Sequence, residues 1–181
     1  MKKNIKNLFK YIFVLVLSLC LFLVACDGNT TVEKTDLEKA LEATSDECAS
    51  FTLVTTITQG DFEVYKETAT YTLENGKFAY TAQIKKLNDL DSEDEYNNEE
   101  KTGTVDAAYK LDLKEEILTD IKIESGALSA KLTSAGLESL VGSNASDGTI
   151  ELKVNDGKIA SLVLSYMLNG QKTKIEANFN Y

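Results

Sequence analysis

From residue 50 onward the alternation of apolar and polar positions follows a period of two. Phe51, Leu53, Thr55 and Ile57 alternate with Thr52, Val54, Thr56 and Thr58, and β-branched residues dominate. Gly60-Asp61 turns the chain into a second strand over about 62–74, and Asn75-Gly76 then forms a two-residue hairpin turn. Setting Glu74 against Lys77 places Leu73 opposite Phe78, Tyr71 opposite Tyr80 and Ala69 opposite Ala82. All the apolar members then share one face, with an ion pair expected beside the turn.

The last third reads as a three-stranded meander over 149–154, 158–167 and 172–181. Asn169-Gly170 pairs Tyr166 with Thr173, Leu164 with Ile175 and Leu162 with Ala177. A two-residue turn at Asp156-Gly157 would put Ile150, Leu152 and Val154 on the wrong face. A three-residue turn over Asn155-Asp156-Gly157 is therefore expected.

Helical spacing appears in two places. Thr35-Asp36-Leu37-Glu38 fits a capping box, and Leu37, Ala40, Leu41, Thr44 and Cys48 continue the stripe, which predicts a helix over 36–48. Ser134 is the expected cap of a short helix carrying Leu137, Leu140 and Val141, with Gly142 as its stop. Leu128, Ala130 and Leu132 read as a strand leading into it, and Val105 to Leu111 as another. Helix, meander, short helix, meander predicts an α+β domain over 36–181: a curved antiparallel sheet with both helices on one face.

The N-terminus is patterned differently. Lys2, Lys3, Lys6 and Lys10 precede an almost unbroken apolar run from Tyr11 to Val24. At 14 residues it falls short of the ~20 of a spanning helix but suits the apolar region of a secretory signal. It ends on Leu23-Val24-Ala25-Cys26, and the chain turns polar at Asp27.

Leu23-Val24-Ala25-Cys26 resembles the lipobox of bacterial lipoproteins. The resemblance implies a diacylglyceryl thioether on Cys26, cleavage before it, and acylation (palmitate or a similar chain) of the new amino group. Residues 1–25 are then a signal peptide and 26–35 the lipidated Cys and a flexible tether. The expected location is the extracytoplasmic face of the cell membrane, held by lipid, since two or more acyl chains anchor stably.

Composition narrows the function. The 181 residues hold 19 Lys and no Arg, 29 Asp and Glu, and neither His nor Trp, for a net charge of −10. Losing residues 1–25 removes four of those Lys and no acid, leaving 15 Lys against 29 acids, a net −14. No nucleic-acid partner is expected of such a chain, because backbone phosphates would be repelled. Without His there is no triad and no common metal ligand. Neither a nucleophile elbow nor a Gly-rich phosphate loop is present, so no enzyme activity and no cofactor are expected. Of the three Cys, Cys20 leaves with the signal and Cys26 takes lipid. Cys48, after Asp46-Glu47, remains as an inert buried thiol.

The element order, and the tail from Gly148 to Ile159, are also similar to LolA/LppX-like half-barrel lipoproteins. That likeness implies a strongly bent sheet wrapped around helices, holding an acyl or other apolar ligand. Phe78, Tyr80, Leu162, Leu164, Ile175, Ala177 and Phe179 would then line the cavity, or fill a solid core in an envelope scaffold protein. The acidic segment Asn88–Lys101 offers Asp89, Asp91, Glu93 and Glu100 at the spacing of a calcium loop. The Gly such a loop needs at its sixth position is Asp94, and a solvated acidic loop between strands is the expectation.

Overall fold

The structure, a computed structural model, describes residues 35–43, 45, 48–87, 96–106, 113–142 and 144–181. The expected signal peptide, Cys26 and Asp27–Lys34 of the expected tether lie outside the described residues, as do Asp89, Asp91 and Glu93. Among the described residues no helix is long and apolar enough to cross a membrane.

Helix α1 spans Asp36–Leu41 and α2 spans Ser134–Val141. The strands are β1 Ser50–Gln59, β2 Phe62–Glu74, β3 Lys77–Leu87, β4 Tyr96–Val105, β5 Leu118–Glu124, β6 Ala127–Leu132, β7 Ala145–Asn155, β8 Lys158–Leu168 and β9 Gln171–Asn180. They form one open antiparallel sheet in the order β4-β3-β2-β1-β9-β8-β7-β6-β5. The fold is α+β, as expected.

Both Asn-Gly hairpins have the expected register, from Glu74↔Lys77 to Ala69↔Ala82 and from Tyr166↔Thr173 to Leu162↔Ala177. Asn75 and Gly76 stand at φ 52° and 77°, and Asn169 and Gly170 at 52° and 77°, the positive values a two-residue primed turn requires. The expected Glu74–Lys77 ion pair is replaced: Lys77 Nζ reaches Asp106 at 2.8 Å, across the strand pair from β4.

The third turn corrects the sequence reading. Asp156 and Gly157 make a two-residue turn at φ 50° and 75°, and Asn155 pairs with Lys158. One step later Val154 pairs with Ile159 but Lys153 with Ser161, so Ala160 bulges out of β8. That bulge supplies the extra residue assigned to the turn. Ile150 still opposes Leu164 and Leu152 still opposes Leu162, all buried. Further bulges interrupt β2 at Val64, β5 at Asp120-Ile121 and β7 at Asp147-Gly148.

Four other boundaries move. The capping box at Thr35 is present, its hydroxyl accepting from the Glu38 amide while Glu38 accepts from the Thr35 amide. However, α1 stops at Leu41, not at Cys48, because the Ala49 amide must already reach the Asn180 carbonyl as β1 begins. The cap of α2 is Thr133, whose Oγ1 accepts from the Gly136 amide, one residue before the expected Ser134. Val105 ends a strand instead of starting one, and 107–112 lie outside the described residues. The expected acidic loop is in part strand β4, so Glu100 lies on extended backbone paired with Gln83.

The core lies between the helices and the β9–β5 half of the sheet. Ala40 and Leu137 meet Leu128, Ile150, Leu152, Leu162, Leu164 and Ala177, with Leu37 and Leu41 packed against them. Gly148 on β7 makes this approach close, for a Cβ there would stand 2.8 Å from Leu137 Cδ1.

Candidate functional site

The seven residues expected to line a cavity share one face of the sheet; six of them fall in two clusters, and Tyr80 lies beside the second, against Tyr71. Leu162, Leu164 and Ala177 belong to the core beneath the helices, with Ile175 and Phe179 packed on it. Phe78 belongs to a second cluster with Phe51 and Cys48, which is 1% exposed and in no disulfide. Phe179 touches both clusters and joins them.

A row of aromatic rings crosses the strands here, because directly opposed residues on antiparallel strands bring their side chains together. Phe179 opposes Phe51, Phe51 opposes Tyr71, and Tyr71 opposes Tyr80. Phe51 and Tyr71 stack with centroids 4.3 Å apart and planes 6° from parallel, and Phe51 lies 5.7 Å from Phe179. Phe78 meets Phe51 edge-on at 5.3 Å, and Tyr80 tilts against Tyr71 at 5.4 Å. The Tyr80 ring comes to rest over Gly103 of β4, where a Cβ would stand only 2.8 Å from it. These rings spend their faces on one another.

Recesses occur elsewhere. One of about 300 Å³ opens at the Gly60 end of the sheet, lined by Ile57, Val64, Tyr65 and Leu87 with Lys86 at its side. A wider one of about 560 Å³ lies at the turn Glu115–Ile117, beside Lys114, Leu118 and Ile121. Neither is lined by any of the seven residues.

Among the described residues, electrostatic perturbation is confined to tyrosines and exposed ion pairs. Burial, then a hydrogen bond to the Glu67 carboxylate, pushes the Tyr65 phenol above its usual range. Burial raises Tyr71 and Tyr166 as well. Lys131 sits 2.7 Å from Asp120, which holds that carboxyl below its usual range. Among the described residues no group of three acids or Cys is placed to hold a metal ion. Glu100, the one described calcium candidate, accepts from the Gln83 amide at 2.6 Å.

The pattern missed β4 and with it Gly103, which accommodates the Tyr80 ring. A glycine between threonines on a polar stretch was the available signal.

No family model matches this chain, and no curated protein matches it. Among solved structures, kievitone hydratase from Nectria haematococca aligns at 15% identity over 78% of this chain, with a TM-score of 0.27. This chain spans about half of that one, 51%.

Proposed function

We propose that this protein is a lipoprotein of the cell envelope, held on the extracytoplasmic face of the membrane by lipid on Cys26, and that it acts by binding instead of catalysis. The observation that carries the proposal is the ending of the 14-residue apolar run on Leu23-Val24-Ala25-Cys26, directly before Asp27. With Cys26 lipidated, no basic patch is needed for anchoring, and the acidic domain stands off an anionic surface. Replacing Cys26→Ser removes the thioether. Metabolic labelling with a palmitate analogue is expected to mark the parent protein and not the variant, which is recovered released or unprocessed. Label that persists on Cys26→Ser overturns the reading.

For the mature domain, the mutual packing of the Phe179, Phe51, Tyr71 and Tyr80 rings supports a filled interior and a protein-interaction or scaffold role. A second reading is a half-barrel that takes a lipid or other apolar ligand in its concavity. It draws support from the small residues Ala69, Ala82, Ala177 and Thr173 on that face and from the bulges that bend the strands. Ala177→Phe separates the two. In a filled core it overpacks and costs about 1–3 kcal/mol. In an open one it raises the melting temperature and blocks uptake of a fluorescent fatty acid.

A further inference from the structure

The two edges of the sheet differ in kind. Edge strand β5 has seven residues and is broken at Asp120, whose φ is 53° and whose carboxylate is turned to Lys131 at 2.7 Å. Such a bulge takes an edge out of register for pairing. Edge strand β4 runs ten residues, contains no proline, and keeps unbroken register on β3 from Leu87↔Tyr96 to Phe78↔Val105. Its residues from Asn98 to Thr104 are exposed, and none of the described strands lies beyond it. Alternate backbone N–H and C=O groups along it therefore face outward.

We infer that β4 is a dimerisation edge that pairs antiparallel with β4 of a second copy of this chain, about a twofold axis through Glu100. Charge selects both the occupant and the register. Strand β4 carries Glu99, Glu100 and Lys101, with Lys101 Nζ 3.7 Å from Glu99 Oε1 in the same strand. A twofold axis perpendicular to the sheet keeps each face continuous, so opposed residues come from the same face. With Glu100 on the axis, Glu99 opposes Lys101 of the second copy and Lys101 opposes Glu99, two attractive pairs. Asn98 meets Thr102 and Asn97 meets Gly103. The one like pair, Glu100 with itself, has its carboxylate already accepting from Gln83 at 2.6 Å.

Shifting the axis to Lys101 opposes two lysines and leaves Glu99 against Gly103. Shifting it to Glu99 opposes two glutamates. The self-complementary register is the one centred on Glu100. Because β5 is blunted, the assembly closes at two copies instead of growing into a filament. A single strand pair buries less than the about 1,200 Å² of a stable interface, so the dimer is transient and is best trapped covalently.

The test uses the full chain expressed in cells, oxidised mildly in the fraction that holds it, and read as covalent dimer on a non-reducing gel. Cys48 is buried, and Cys20 and Cys26 are common to every variant. Glu100→Cys places the two new thiols directly opposite each other. Glu99→Cys leaves them on a diagonal about 7–8 Å apart and reports random collision. The expected result is at least five-fold more dimer from Glu100→Cys than from Glu99→Cys. Adding Lys101→Glu to Glu100→Cys should remove that excess, and adding Glu99→Lys as well should restore it by exchanging the charges. Equal trapping of the two cysteine variants, or an excess that ignores the charge swap, overturns the proposal.

Discussion

Gly136→Ala sets two effects of opposite sign against each other. Gly136 is the third residue of α2, and replacing a helical glycine by alanine stabilises by up to about 1 kcal/mol through backbone entropy. The surroundings oppose it. An added Cβ would stand 2.6 Å from Ile117 Cβ and 2.8 Å from the Ile117 carbonyl oxygen. That carbonyl is no flexible neighbour, for it accepts a hydrogen bond from the Thr133 amide at 2.9 Å. Thr133 is also the cap whose Oγ1 takes the Gly136 amide at 3.0 Å. Making room means lifting α2 away from the turn at Glu115–Ile117, which loosens the cap and the burial of Leu137 together. Overpacking of this kind costs about 1–3 kcal/mol, and a weakened cap about 1 kcal/mol more. The net expectation is a loss of about 1–3 kcal/mol. At about 2–4 °C per kcal/mol for a domain this size, the melting temperature falls by about 2–12 °C. Thermal unfolding followed by circular dichroism reads it. Ala135→Gly, at the exposed neighbouring position, is the control and should lose only the propensity term of about 0.5–1 kcal/mol. A Gly136→Ala protein that melts at or above the parent refutes the close-packing argument.

Leu162→Ala, at a position 1% exposed in the centre of the core, should cost about 2–5 kcal/mol in a denaturant titration, with an unchanged m-value. Tyr65, Tyr71 and Tyr166 have phenols raised in the folded state, so their contribution is complete below the ordinary tyrosine value and is lost as pH rises through the folded values. The melting temperature should therefore fall above about pH 10, and less steeply in Tyr65→Phe. Calcium at millimolar concentration should leave the melting temperature unchanged, since Glu100 stands on strand β4 with Gln83 as its partner. A rise of several degrees that disappears on Asp89→Ala would show the acidic segment to be a calcium loop.

Where two local signals agreed, the chain was legible. Asn75-Gly76 and Asn169-Gly170 carry turn chemistry that matches the alternation on both sides, and their registers follow residue for residue. At Asp156-Gly157 the pattern demanded an odd residue, and periodicity alone could not say that Ala160 would supply it. Strand β4 was hidden because Asn97, Asn98, Glu99, Glu100 and Lys101 have little strand propensity, and pairing with β3 overrides it. The end of α1 was hidden too, since it is set by the distant Asn180 and not by a local stop signal. The strand registers put the seven candidate lining residues on one face of the sheet. Which of them pack in one cluster and which in the other depends on the order of strands across the sheet, a long-range property that periodicity does not encode.

That order has a consequence for how the molecule comes to exist. The first described strand, β1, has β9 as a neighbour, so the earliest and latest described strands lie side by side. During synthesis β1–β4 can pair as a meander, and β5–β8 as another, but among the described strands none joins the two until β9 has been made. Until then β1 presents an open flank carrying Phe51, Leu53 and Ile57. The chain must close a loop of more than 100 residues to cover it, a slow step that leaves apolar surface unprotected meanwhile. A nascent or truncated chain lacking β9 is thus two unjoined sheets with a sticky margin, fit for a chaperone or a protease. Completion of β9 works as a proofreading step: only a polypeptide that includes it can seal its own seam.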